Sequence, residues 1–457
     1  MELLNLQREV MHMKKATLDP TDENILQTIK DNGMGGRNKE IKEFVEALDM
    51  IESNMFICLD ADWGTGKTFY VRQIEKTLEY HTLGKFGECN NENQCKYNDM
   101  HSYFEKTNLE EVNIQKSYFP VYYDAWLYDN HCDPLLSLIS VITKKCGKVD
   151  TKISQKAGSR LANLLGSGSV NFPHFSINGT GIINAITNTD ILEKIQLAED
   201  IQEKVKAIFS DIIDGCVDKL VIFIDELDRC RPNYALEMLE RIKHYFDDDR
   251  IIFVIYLNKE QLTHTITNYY GSGFDATRYL NKFFDLEMYL PVVDTVDNQI
   301  NTYNEKQYWL NTIANALIKL YELSLRDSLI YKQKIESFAD DLNIADYSDW
   351  TRYKVLSMSL FVPMIIILHM YDIGEARKFE SGNSDILEKL KENEDIQNFY
   401  KRFTTNDEDG FEKIQAIYKY AFKKQDETIL KQHKIPFEEL GKNIKRDCLK
   451  RVSKINV

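Results

Sequence analysis

Eight consecutive residues, Ala61-Asp62-Trp63-Gly64-Thr65-Gly66-Lys67-Thr68, carry the most specific chemistry in this chain. They follow a short apolar run, MFICLD (Met55–Asp60), and lead into the helical segment FYVRQIEKTLEY. A turn so placed can aim backbone N–H groups at anionic oxygens, with a helix N-terminus adding its favourable dipole. Gly64 and Gly66 allow close approach and unusual dihedrals, while Asp62, Trp63 and Thr65 complete the loop. Lys67 is placed to neutralise β- and γ-phosphates, and Thr68 to offer a hydroxyl to Mg²⁺. The pattern is G-x-x-x-x-G-K-S/T with Ala61 at the first position, which demands a negative φ there.

A second cluster closes the run KLVIFID (Lys219–Asp225) with Asp225-Glu226-Leu227-Asp228-Arg229. A carboxylate at the tip of a buried strand beside the phosphate-loop strand supplies the anion that Mg²⁺ requires beyond its direct ligands, and Asp225 takes that role. Glu226 is placed to polarise an attacking water, with Asp228 as its competitor; Asp228 could instead cap the helix that starts near Pro232. The next apolar run, RIIFVIYL (Arg250–Leu257), ends at Asn258, which suits a sensor of the γ-phosphate or simply a strand exit.

The elements that must position these residues are legible from hydropathy. Each strand is a near-continuous apolar run, and FPVYYDAW (Phe119–Trp126) adds another. Apolar residues at Ile41, Phe44, Val45, Leu48 and Ile51 mark a helix before the first strand, and Asn233–Tyr245 is a second amphipathic helix. Runs of this kind alternating with helices predict an α/β fold, a parallel sheet sandwiched by helices with ligands at the carboxyl ends of the strands. Residues 1–30 read as a polar helical lead-in, 31–298 as the core and 299–457 as a C-terminal α-helical domain. Two insertions interrupt the core, a polar excursion at about 83–116 and a Gly/Ser/Asn-rich stretch at about 147–200. The latter holds a hairpin signal at Asn178–Gly179, and a helix is expected from Asp190 to Asp214.

The chain has 457 residues, with 72 acidic side chains against 57 basic ones and a formal charge of −15. That balance argues against non-specific coating of nucleic acid. The last 28 residues differ, with eight Lys/Arg against three Asp/Glu, and could touch nucleic acid or an acidic partner. The polar, acidic N-terminus does not read as a secretory signal, and the eight scattered cysteines read as reduced thiols, so a cytoplasmic location is expected. Cys89, Cys95 and His101 match no common zinc spacing. Val355–Ile373 is the most apolar stretch; with Pro363 and a histidine inside it, a buried helix kinked or interrupted at Pro363 is expected rather than a membrane span.

Together these residues resemble the KAP family of P-loop NTPases, in the class that adds a strand and a catalytic acidic residue (ASCE). The resemblance runs over about residues 33–330 and rests on GRNKEI (Gly36–Ile41), DADWGTGKT (Asp60–Thr68), YYDAWLY (Tyr122–Tyr128), IDELDRCRP (Ile224–Pro232), RYLNKFFDLEMYLP (Arg278–Pro291) and LSLRD (Leu323–Asp327). It implies ATP and Mg²⁺ as ligands and Arg37 as a nucleotide-site residue. Family members usually carry two aspartates where this chain has Asp225-Glu226, a change that keeps the acid and lengthens its reach. Many also carry transmembrane hairpins within the P-loop domain; region 147–200 is not apolar enough for one, so no membrane is expected. ATPases of this class often need an arginine at the γ-phosphate, commonly from a neighbouring subunit. Candidates are Arg229, Arg231, Arg278 and Arg326, of which Arg229 and Arg326 are the stronger; each could instead form only a surface ion pair.

The resemblance implies a prokaryotic protein, with relatives in phage exclusion and defence. The expected function is a Mg²⁺-dependent ATPase acting as a regulatory or assembly switch, homo-oligomeric and working with an effector protein. The alternatives are a nucleotide-dependent scaffold without turnover, or a motor stimulated by nucleic acid. ATP is favoured over GTP because no N-K-x-D motif stands beside a strand.

Overall fold

The computed structural model describes residues 19–33, 36–86, 91–130, 133–147, 210, 217–290, 308–344, 352–401, 409–423, 427–436 and 443–455. The expected hairpin at Asn178–Gly179, the helix Asp190–Asp214 apart from Ser210, nearly all of the 147–200 insertion and residues 1–18 of the lead-in lie outside them. Two compact units divide the chain near Val293 and Asp294.

In the first unit, α1 (Asp22–Lys30) and α2 (Asn38–Asp49) precede β1 (Met55–Asp60) and α3 (Lys67–Phe86). Then come α4 (Asn91–Phe104), β2 (Tyr118–Asp124), the short α5 (Ala125–Tyr128) and α6 (Pro134–Gly147). After β3 (Lys219–Asp225) follow α7 (Pro232–Tyr245), β4 (Ile251–Leu257), α8 (Lys259–Tyr270), α9 (Ala276–Leu280) and β5 (Leu286–Tyr289). The strands form one parallel sheet in the order β2-β3-β4-β1-β5.

Alternate residues of each strand face opposite layers, as the pleat requires. Leu220, Ile222 and Ile224 of β3 pack with Leu138, Ile142, Leu239 and Ile242 on one face. Val221 and Phe223 pack with Val45, Val71, Ile74 and Phe104 on the other. Burial on both faces explains why the strands read as unbroken apolar runs. The polar excursion contributes to this packing: Met100, Phe104, Leu109, Val112 and Ile114 are buried within it.

One reading from the residues is corrected here. The strand that ends in Asp225 is not next to the phosphate-loop strand, because β4 pairs with both and separates them. β4, the strand that follows β3 in the chain, takes the place beside β1, so the strand carrying Asp225 lies one position further away.

The second unit is helical. It includes α10 (Tyr308–Leu320), α11 (Leu325–Ile344), α12 (Arg352–Tyr371) and a helix at Ile444–Ile455. Phe361, Val362, Met364, Ile365 and Ile367 of α12 are all fully buried, the behaviour of a helix apolar on every side. Of the kink or interruption expected at Pro363, the interruption does not occur; α12 runs through it. The Pro363 carbonyl accepts a hydrogen bond from the Tyr331 hydroxyl at 3.2 Å. In the basic C-terminal segment, Ile444, Cys448 and Val452 sit at helical spacing and are buried in the same core. Among the described residues, no helix is long and apolar enough to cross a membrane.

Candidate functional site

The carboxyl ends of β1, β4, β3 and β2 lie along one edge of the sheet, where Asp60 pairs with Leu257 and Asp124 with Asp225. The loop after β1 opens onto this edge. Gly64 and Gly66 have φ of 80° and 82°, values that a Cβ disfavours. Ala61 is not among the described residues with positive φ, which explains how alanine replaces the usual glycine. Its N–H donates to the Leu257 carbonyl at 3.2 Å, tying the loop to β4.

Lys67 is only 9% exposed, and its ammonium donates to the Ala61 carbonyl at 3.0 Å. Asp228 Oδ2 lies 3.9 Å from the same nitrogen. Thr68 Oγ1 donates to Asp225 Oδ2 at 2.9 Å, so the two expected Mg²⁺ ligands touch across the intervening strand. Asp225 also accepts from the Glu226 backbone N–H at 2.8 Å and from the Tyr122 hydroxyl at 3.1 Å. Burial pushes the Asp225 carboxyl above the ordinary carboxylate range, and these donors oppose the shift.

Glu226 has a left-handed backbone with φ of 60°, a strained conformation for a side chain of this kind. Burial, then the charge of Asp225, pushes its carboxyl up to about 7, against the opposing pull of Arg229. Arg229 pairs through Nε with Glu226 Oε2 of the same chain, and its guanidinium stands 5.6 Å above the Trp126 ring.

Asp228 does not cap α7: the residue before that helix is Arg231, which makes no side-chain cap. Instead Asp228 Oδ2 accepts from Trp63 Nε1 at 2.7 Å, joining the loop to the turn after β3. Trp63→Phe deletes that donor and leaves a buried carboxylate short of one partner. A loss of about 1–3 kcal/mol in stability is expected, with weaker nucleotide binding as Asp228 holds Lys67 more tightly. Thermal melting and titration with a fluorescent ATP analogue read both effects; unchanged values would remove the brace.

Asn258 follows β4, between the loop and Asp225. Its Oδ1 caps α8 by accepting from the Gln261 N–H at 2.9 Å, and its Nδ2 donates to Asp62 Oδ1 at 3.2 Å. The cap accords with the strand-exit reading of this residue. Arg37 is buried, and its Nη1 donates to the Thr65 carbonyl at 3.0 Å, bracing the loop. Arg231 contacts Asp129 and Asn130. Arg278 is exposed on α9, and Arg326 is exposed on α11 in the second unit.

Tyr122 and Trp126 were not singled out as site residues from the sequence. Tyr122 lies two residues before Asp124, and its ring carries the Arg72 guanidinium 4.8 Å above it. Only the pairing of β2 with β3 brings it near Asp225, and no local pattern in the sequence marks it.

The donor set fits Mg²⁺. Among the described residues no group of three or more His, Cys, Asp or Glu could hold a metal. Mg²⁺ at such sites takes one or two protein oxygens and draws the rest from phosphate and water, and Thr68 and Asp225 are the residues that would hold it.

A loop with two left-handed glycines, a buried lysine and a strand-tip carboxylate reaching its threonine define a P-loop NTPase domain. The KAP family P-loop domain matches residues 37–345, and the chain belongs to that family. No curated protein matches the chain.

Proposed function

We propose that this protein is a Mg²⁺-dependent ATPase that works as a regulatory or assembly switch. The observation that carries the reading is the 2.9 Å bond from Thr68 to Asp225, with Glu226 on the adjoining residue. The amides of Gly64–Thr68 orient a triphosphate, and Lys67 exchanges its bond to Ala61 for one to phosphate oxygens. Bound Mg²⁺ supplies positive charge against those oxygens. Glu226 accepts the proton of the attacking water, its high pKa suiting a base near neutral pH. Asn258, between the two motifs, senses the γ-phosphate.

The switch role carries further proposals. The protein self-assembles when nucleotide is bound, and Arg326, exposed on its helix, is the candidate to reach a neighbouring subunit's site. It acts in the cytoplasm of a prokaryote, in antiphage defence through an effector protein, with the basic C-terminal segment as a contact for an acidic partner or nucleic acid. These rest on the family resemblance and on charge.

Phosphate release tests the core reading: turnover of ATP is expected with Mg²⁺ and none after chelation. Light scattering with and without a non-hydrolysable ATP analogue tests assembly, and a monomer in both conditions rules it out. Stimulation of turnover by DNA or RNA would favour a motor. The pairing of Glu226 with Arg229 favours one second reading, a scaffold that binds ATP without turnover; intact binding with no phosphate release would establish it.

A further inference from the structure

Arg229 entered the sequence reading as a candidate for the γ-phosphate, but its guanidinium is engaged within its own chain. It sits at the end of the 3₁₀ turn Leu227–Arg229, three residues after Glu226, and pairs with the carboxylate oxygen Oε2. The other side of the guanidinium faces Trp126. That indole belongs to α5, the single turn after β2 that Asp124 caps at Leu127 N–H, 3.1 Å away. Arg229 thus links the Glu226 carboxylate to a segment about 100 residues earlier in the chain.

We propose that Arg229 is a positioning residue that latches Glu226 in an idle state, with Trp126 as the anchor of the latch. A general base must present a lone pair to water. Charge-assisted pairing to a guanidinium occupies one carboxylate oxygen and holds the side chain away from a water. The backbone of Glu226 is fixed by its left-handed turn and by the bond from its N–H to Asp225. Release of the side chain therefore falls to Arg229. Trp126 is 54% exposed and Leu127 68%, so the anchor faces solvent and is not locked in the core. A cation over an exposed ring is held weakly enough to open.

The inference rests on the proposed hydrolysis, and its test separates the two. Phosphate release at saturating ATP and Mg²⁺, the affinity for a fluorescent ATP analogue, and Trp126 emission are measured in wild type, Arg229→Ala, Arg229→Lys and Trp126→Ala. Trp126 emission is taken as the difference from Trp126→Phe. Arg229→Ala is expected to raise kcat at least about fivefold with analogue Kd within twofold, and to shift Trp126 emission. Trp126→Ala, which leaves Glu226 and Arg229 in place, raises kcat by less, and Arg229→Lys restores the low rate. A wild type that hydrolyses ATP while Arg229→Ala is slower or unchanged overturns the latch alone and makes Arg229 an aid to turnover. Analogue binding without phosphate release in any variant overturns hydrolysis and latch together.

Discussion

Lys67→Ala is expected to abolish ATP turnover, lowering kcat by about 10²–10³ at least, and to weaken ATP binding by tenfold or more. The buried ammonium lies between the Ala61 carbonyl and Asp228, with Asp225 and Glu226 beyond. Without it, the triphosphate meets three carboxylates across a partly desolvated site, where repulsion is poorly screened. The fold should survive, because the glycine dihedrals and the Ala61–Leu257 bond that shape the loop do not involve the side chain. Phosphate release and analogue titration measure the two losses, and a circular-dichroism melt checks the fold. Wild-type turnover in this variant would mean that phosphate does not lie in the loop.

Glu226→Gln separates binding from chemistry. The amide keeps the length of the side chain and the strained turn, but cannot accept a proton from water. A fall in kcat of about 10²–10⁴ is expected with ATP affinity equal to or tighter than wild type, since one negative charge leaves the phosphate site. Single-turnover phosphate release beside analogue titration reads both. If the variant hydrolyses within twofold of wild type, Glu226 is not the base. Asp228 is then the remaining carboxylate near Lys67, though its bond to Trp63 engages it elsewhere.

The difference between these variants reflects how the site is built. Lys67 stands in a loop whose shape is encoded within eight residues, so its placement could be read directly. Glu226 draws its character from its surroundings in the folded turn: partial burial, the charge of Asp225 and the ion pair with Arg229. Adjacency in sequence identified it as a candidate base, but could not show that it is held.

The same division runs through the fold. Strand runs at Met55–Asp60, Lys219–Asp225 and Arg250–Leu257 were recognisable because burial on both faces leaves an unbroken apolar signature. The glycines, lysine and threonine of the loop were recognisable because their backbone and charge requirements are local. Strand order was not legible: β4 enters between β1 and β3, carrying Asn258 to the gap between the loop and Asp225. Nor were the bonds from Tyr122 to Asp225, from Trp63 to Asp228 or from Arg37 to Thr65. Each joins segments 28 to 165 residues apart. The sequence by itself determined the phosphate-loop pattern of glycines, lysine and threonine, since that depends on dihedrals and charges within a single turn. Which side chains brace or restrain those residues was decided only in three dimensions, because strand pairing and layer packing set those distances and no local pattern records them.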